Sequence, residues 1–356
     1  MPAGREPSAT PLLLDPLRPD IQAVPRRRRP SVRTIGAVTL ATALVAVAVY
    51  GASRLDLGAA ASALGGADPQ MLAAALALYA VAQTAGGAMW AVCQTSGGVR
   101  GVPLGTALGM HWMARAACEI LPACLGETAR AALVRRHPGG AEAGTLRIVG
   151  GIAGYKLVEG VVTAVAVVAL TLVVPLPGPA AGLRWTAAAA VVAIVVAAIA
   201  WRLGAGRRLA RLIPRRTRAS ARRVGEGAAV VTDGPAARTA AALGLVLVVA
   251  RMLSLAALLM ALGAPAAAAA LAFCLIALAG ALPIAPGGAG AREVVLVPAL
   301  ALAYGLPAST ALAFSVAVQA TALITSLALG AAALAWLGPR LLGRGGPVPE
   351  PLVAEA

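Results

Sequence analysis

The sequence predicts an all-α, polytopic integral membrane bundle of about six to eight transmembrane helices, with re-entrant half-helices and a suggested internal duplication. Three observations lead there. Hydrophobic residues make up 60% of the chain and charged residues 12%, with a mean hydropathy of +0.84, which leaves too little polar surface to coat a water-soluble particle. The apolar residues gather in stretches of roughly 20, the length that crosses a hydrocarbon core about 30 Å thick. The formal charge of +16, from 30 Lys+Arg against 14 Asp+Glu, is concentrated in a few stretches between those runs. Cations so placed read as cytoplasmic loops rather than a nucleic-acid footprint, and 3% aromatics leaves almost nothing to stack on bases.

Residues 1–33 are rich in Pro and Arg, with Arg26, Arg27, Arg28 and Arg29 in a row, and read as a disordered basic cytoplasmic tail. The apolar stretch 34–52 is taken as the first span: its basic leader is too long for a secretory signal, and Tyr50 spoils a small-x-small cleavage site. Further spans are expected at 69–92, 147–174, 185–203, 239–262 and 265–282, followed by a shorter run at 291–304 and a long one at 307–337. Trp90, Trp185, Trp201 and Trp336 fall at the ends of these stretches, where an amphipathic ring prefers the interface. The membrane domain is thus 34–337, with halves 34–203 and 239–337 around a basic cytoplasmic loop, 204–238, and a cytoplasmic tail at 338–356.

Arginines set the orientation. They crowd the tail before Thr34 and the connections from Arg100 to Arg147 and from Arg202 to Arg238, and are nearly missing from 51–68 and 175–183. The N-terminus is therefore expected in the cytoplasm, and Arg340 and Arg344 place the C-terminus there too. An even number of crossings is then required: about eight if 291–304 crosses, about six if it folds back with part of the next run. The stretch 102–134 is apolar yet carries Arg115, Glu119, Glu127 and Arg130 between two cytoplasmic ends. Two readings stand, a re-entrant pair of half-helices or an amphipathic cytoplasmic loop helix.

Two similar breaks carry the functional signal. Leu121-Pro122 leads to Gly126, Glu127 and Arg130, and Leu282-Pro283 leads to Gly287, Gly288, Gly290, Arg292 and Glu293. In each, LPxxxG is followed by one acid and one arginine, then by an apolar helix. Pro removes an N–H donor and Gly admits conformations other residues avoid, so one helix stops and another starts. A helix start offers unpaired N–H groups and a positive dipole end to an anion, and an adjacent arginine adds a planar fork suited to phosphate. Interrupted helices in corresponding halves point to a transport site; the blander reading of Gly287 to Gly290 is a surface loop at a helix end. Lys156 and Glu159 share one helix face at i,i+3 and mark either a pathway or a self-satisfied pair with a snorkelling lysine. Arg251, halfway along its span, needs an anionic partner, for which Glu127, Glu159 and Glu293 are available.

Cys93, Cys118, Cys124 and Cys274 show no CxxC pairing and read as small buried apolar residues. His111 and His137 have no metal-ligand spacing around them, so neither a metal nor a cofactor is expected.

At Pro286-Gly287-Gly288-Ala289-Gly290-Ala291-Arg292-Glu293, and at Gly126-Glu127-Thr128-Ala129-Arg130 after Leu121-Pro122, the sequence resembles the lysylphosphatidylglycerol synthase transmembrane-region family. This is the flippase-like membrane portion of the bacterial multiple peptide resistance factor, found also in stand-alone proteins. The resemblance runs over about 34–337; Lys156 with Glu159 occupies what looks like the family's basic-x-x-acidic position, with Lys where Arg is expected. It implies a multi-pass protein of the bacterial inner membrane that moves a phospholipid or lipid-linked phosphate between leaflets. Implied partners are membrane lipids, anionic or phosphate-bearing; no nucleic acid partner is expected, and a homo-oligomer is allowed. No aminoacyl-transferase domain follows Leu337, so no enzyme and no catalytic residues are expected. The expected substrate-binding set is Gly126, Glu127, Arg130, Lys156, Glu159, Arg251, Gly287, Gly288, Gly290, Arg292 and Glu293. The alternatives are a membrane-embedded enzyme acting on a lipid-linked phosphate or sugar through His111 or Glu119, and a non-transporting lipid-binding partner that works through its basic loop.

Overall fold

The computed structural model describes residues 57–120, 123–173, 189, 192–193, 215–280 and 291–342. The N-terminal tail, residues 343–356, the expected span 34–52, most of 185–203, and the break segments 121–122 and 281–290 lie outside the described residues. The described residues form helices and contain no strand. In order they are α1 (Leu57–Gly65), α2 (Pro69–Ser96), α3 (Leu104–Ile120), α4 (Ala123–Arg135), α5 (Pro138–Ala143), α6 (Thr145–Val173), α7 (Arg215–Gly227), α8 (Gly234–Ala261), α9 (Ala268–Gly280), α10 (Ala291–Tyr304) and α11 (Ala308–Leu342). A single 3₁₀ turn, Ala229–Val231, joins α7 to α8.

Among the described residues, four helices, α2, α6, α8 and α11, are long and apolar enough to cross a membrane. α2 and α8 start with the same device. Asp68 accepts from the N–H groups of Gln70 (2.8 Å) and Met71 (3.4 Å) just before Pro69, and Asp233 accepts from Ala236 N–H (3.3 Å) just before Gly234-Pro235. Each cap is worth about 1 kcal/mol, and the proline sits where the missing N–H costs nothing. The two helices run antiparallel: Asp68 N–H donates to the Ala261 carbonyl (2.9 Å) at one end, and Ser96 Oγ donates to Asp233 Oδ2 (3.5 Å) at the other. α6 starts where α2 ends, held by Gln94 Nε2 donating to the Ile148 carbonyl (3.3 Å). There α7 lies close against both, because Gly97, Gly150 and Gly227 let backbones touch. Arg147 adds an ion pair to Glu226 of α7 (2.8 Å). This end of the bundle, with Arg100, Arg147, Arg222 and Arg238, is the basic end. The loop expected at 204–238 therefore holds a helix, and α8 starts inside it.

The helices on either side of each break pack on each other. α3 and α4 pack on each other through Gly126 against Cys118 near the tip, and Gly139 meets the Arg100 carbonyl at the mouth. α3 lies inside the bundle against α11, with Gly105 under Trp336, Gly109 against Leu337 and Gly330 against Ala116. Small residues set such contacts in lipid, where van der Waals fit rather than hydrophobicity drives helix association. Of the two readings of 102–134, the structure has the helical hairpin: Met110, His111 and Ala114 on α3 are buried, unlike a helix lying on a surface.

The described part of α9 is 13 residues and that of α10 is 14, each about 20 Å long. They pack on each other, and Tyr304 Oη donates to the Ala267 carbonyl (3.2 Å) at the mouth. Residues 291–304 fold back on α9, and α11 is one continuous 35-residue helix. The first hairpin opens at the basic end, after α2; the second opens at the other end, after α8. The helix pairs flanking the two breaks thus open in opposite directions, the polarity expected of an inverted repeat.

Candidate functional site

Five of the expected residues form one chain of alternating charge across three helices. Arg130 Nη1 lies 3.3 Å from Glu127 Oε2 on α4, and Glu127 Oε1 lies 3.6 Å from Lys156 Nζ on α6. Lys156 Nζ then reaches Glu159 Oε2 at 3.2 Å, and Glu159 Oε1 reaches Arg251 Nη1 of α8 at 3.4 Å. The i,i+3 spacings within α4 and α6 put each acid beside a cation on one helix face. Packing of α4, α6 and α8 then joins the pairs. Of the three acids available to Arg251, Glu159 makes the ion pair.

Lys156 sits about 17 Å along a helix about 43 Å long, and its side chain is 46% exposed while Arg130's is 0% exposed. An ammonium that far along an apolar helix must be paired or reach polar surroundings, and Lys156 has both Glu127 and Glu159 beside it. Three cations stand against two carboxylates, which leaves an excess positive charge facing whatever enters.

Aromatic rings frame the buried end. The Arg130 guanidinium lies 5.8 Å from the Trp90 ring and 5.4 Å from Tyr155, and Lys156 Nζ lies 5.1 Å from Tyr155. Ring faces attract cations by their quadrupole, about 2 kcal/mol when desolvated. His111 completes the box, 6.1 Å from both rings. Gly86 and Gly87 of α2 leave it room, since a Cβ at Gly87 would come within 3.3 Å of the imidazole. None of Arg130's nitrogens has a hydrogen-bond acceptor among the described residues. Buried guanidinium donors without acceptors are costly, and an oxyanion would satisfy them.

The other expected residues sit elsewhere. Gly126 lies inside α4 at the hairpin's closest approach. Glu293, in the first turn of α10, accepts a hydrogen bond from Ser315 Oγ of α11 (3.1 Å). Arg292 lies on α10 with its side chain outside the described residues, as are Gly287, Gly288 and Gly290. Glu119 is paired with Arg115 on α3 (2.9 Å). Trp90, expected at an interface, is instead 1% exposed and turned onto Arg130. Trp90 and Tyr155 escaped the sequence reading as site residues. The available signals were the Gly86-Gly87 pair inside an apolar span and a tyrosine directly before Lys156.

Long apolar helices, packed helix pairs and a charge chain linking three helices mark a multi-pass membrane protein. Residues 35–330 match the family model described as the lysylphosphatidylglycerol synthase TM region, and the chain belongs to that family, which relates it to lipid handling. A search of curated proteins finds no match to the chain.

Proposed function

We propose that this protein translocates a phospholipid or lipid-linked phosphate between the leaflets of a bacterial inner membrane, with both termini cytoplasmic. The observation that carries this reading is Arg130, wholly buried between two rings, short of acceptors, and one step from a half-exposed Lys156. A phosphate is the ligand such a pair suits: the guanidinium offers a rigid fork and the ammonium a point charge. The hairpins of opposite polarity support alternating access, since each can rock against the long helices from its own side. On this reading no bond is made or broken, and the charge chain only binds, orients and releases a headgroup.

The test is scrambling of a fluorescent phospholipid in proteoliposomes, read by dithionite bleaching of the outer leaflet. Wild type should scramble, and Arg130→Ala should fall at least tenfold. Equal rates in the two proteins would sink the proposal.

A further inference from the structure

Glu127 is the worst-fitted carboxylate of the charge chain. Its contacts of 3.3 Å and 3.6 Å exceed the 2.7–2.9 Å, roughly, of a charge-assisted hydrogen bond. Neither Glu127 Oε2 nor any Arg130 nitrogen is hydrogen-bonded among the described residues. By comparison, Arg115 reaches Glu119 at 2.9 Å and Lys156 is hydrogen-bonded to Glu159 at 3.2 Å. The Glu127 side chain is 31% exposed, whereas the guanidinium it faces is fully buried. A half-accessible acid thus stands in front of a dry cation without satisfying it.

Its place in the chain lets it leave. Glu127 lies in the second turn of α4, just after the break, while Arg130 is held one turn further on by Trp90 and Tyr155. Withdrawing Glu127 exposes Arg130 and Lys156 together and leaves Glu159 to pair with Lys156 and Arg251. A phosphodiester carries a single negative charge, as a carboxylate does, and its tetrahedral oxygens can meet a fork and an ammonium at once. Exchanging one for the other leaves the buried charge unchanged.

We propose that Glu127 is a tethered stand-in for a phosphate-bearing anion: it occupies the space between Arg130 and Lys156 in the empty protein, and ligand and carboxylate compete for those two cations. This rests on the proposed phosphate site and adds the residue that sets its affinity and release.

The test is binding to the full-length protein in mild detergent by microscale thermophoresis, with two probes, short-chain phosphatidylglycerol and inorganic phosphate. Glu127→Gln should bind phosphatidylglycerol about tenfold more tightly than wild type, a gain of about 1.4 kcal/mol, and scramble more slowly because release is hindered. Glu127→Ala, which removes any hydrogen bond from the new amide, should tighten likewise. Tightening towards phosphatidylglycerol alone assigns the competition to a lipid headgroup, and tightening towards both probes assigns it to the phosphate group; either supports the proposal. Unchanged or weaker binding in both Glu127 variants, with binding lost in Arg130→Ala, overturns the stand-in and leaves the site. Binding that survives Arg130→Ala removes the site itself.

Discussion

Arg130 and Tyr155, from different helices, hold each other in register: the guanidinium lies 5.4 Å from the ring centroid, and Lys156, the next residue, lies 5.1 Å from the same ring. One aromatic side chain thus aligns two cations of the charge chain. Tyr155→Phe keeps the ring and should leave thermal stability within about 0.5 kcal/mol. Tyr155→Ala removes two cation–π contacts and leaves a void, together about 3–5 kcal/mol. A melting curve in detergent and a scrambling assay check this; equal loss in both variants would assign the role to the hydroxyl.

The charge chain predicts an order of severity. Arg130→Met removes two cation–π contacts and leaves Glu127, which is partly exposed, with Lys156 alone, and should destabilise by about 1–3 kcal/mol. Arg251→Met should cost less, because Glu159 keeps Lys156 and Arg251 is partly exposed. Double-mutant cycles between Arg251 and Glu159 should give a coupling of about 1 kcal/mol or less. A larger cost at Arg251 than at Arg130 would contradict the order.

Glycine positions on α6 separate contact from propensity. A Cβ at Gly150 would run into the backbone of α7 at Val224 and Gly227, whereas one at Gly160 meets nothing within 4 Å. Gly150→Ala should therefore lower stability by about 1–3 kcal/mol through overpacking. Gly160→Ala should raise it by about 0.5–1 kcal/mol, the ordinary helix gain. Melting temperatures of the two single variants decide the matter.

α7 should be held by an acid-sensitive latch. Hydrogen bonds from Arg147 and then Arg222 hold the Glu226 carboxyl below its ordinary value of 4.5. A depressed carboxylate contributes stability that is present above its unfolded pKa and lost as pH falls through the folded one. Hydrogen exchange of the α7 amides, corrected for intrinsic rates, should stay constant from neutral pH to about 5 and rise only in stronger acid. In Glu226→Gln that acid step should disappear. An acid step that persists in the variant would place the latch elsewhere.

Much of the site was legible in the sequence. LPxxxG, a local pattern, marked the joints between α3 and α4 and between α9 and α10, and the i,i+3 spacing of Lys156 and Glu159 marked one ion pair, because a helix puts such residues on one face whatever surrounds it. The pairing of α9 with α10 was less legible: 265–282 is apolar enough to cross, and nothing in its composition names the helix it packs on. Trp90 was misread for a related reason, since position near the end of an apolar stretch says nothing about which side of the helix a ring takes.

What the sequence alone determined are transfer properties: which segments prefer lipid, where Pro and Gly stop a helix, and which charges must be buried. These depend on residues next to one another in the chain. The tertiary structure decided that Glu159 rather than Glu293 pairs with Arg251, that Trp90 turns inward onto Arg130, and that the hairpins open at opposite ends. Helices this rich in Ala, Leu and Val are apolar on every side, so their composition names no partner. Close approach at glycines such as Gly109, Gly150 and Gly330 supplies that choice, because interhelical fit is a property of two surfaces and neither is written in one segment.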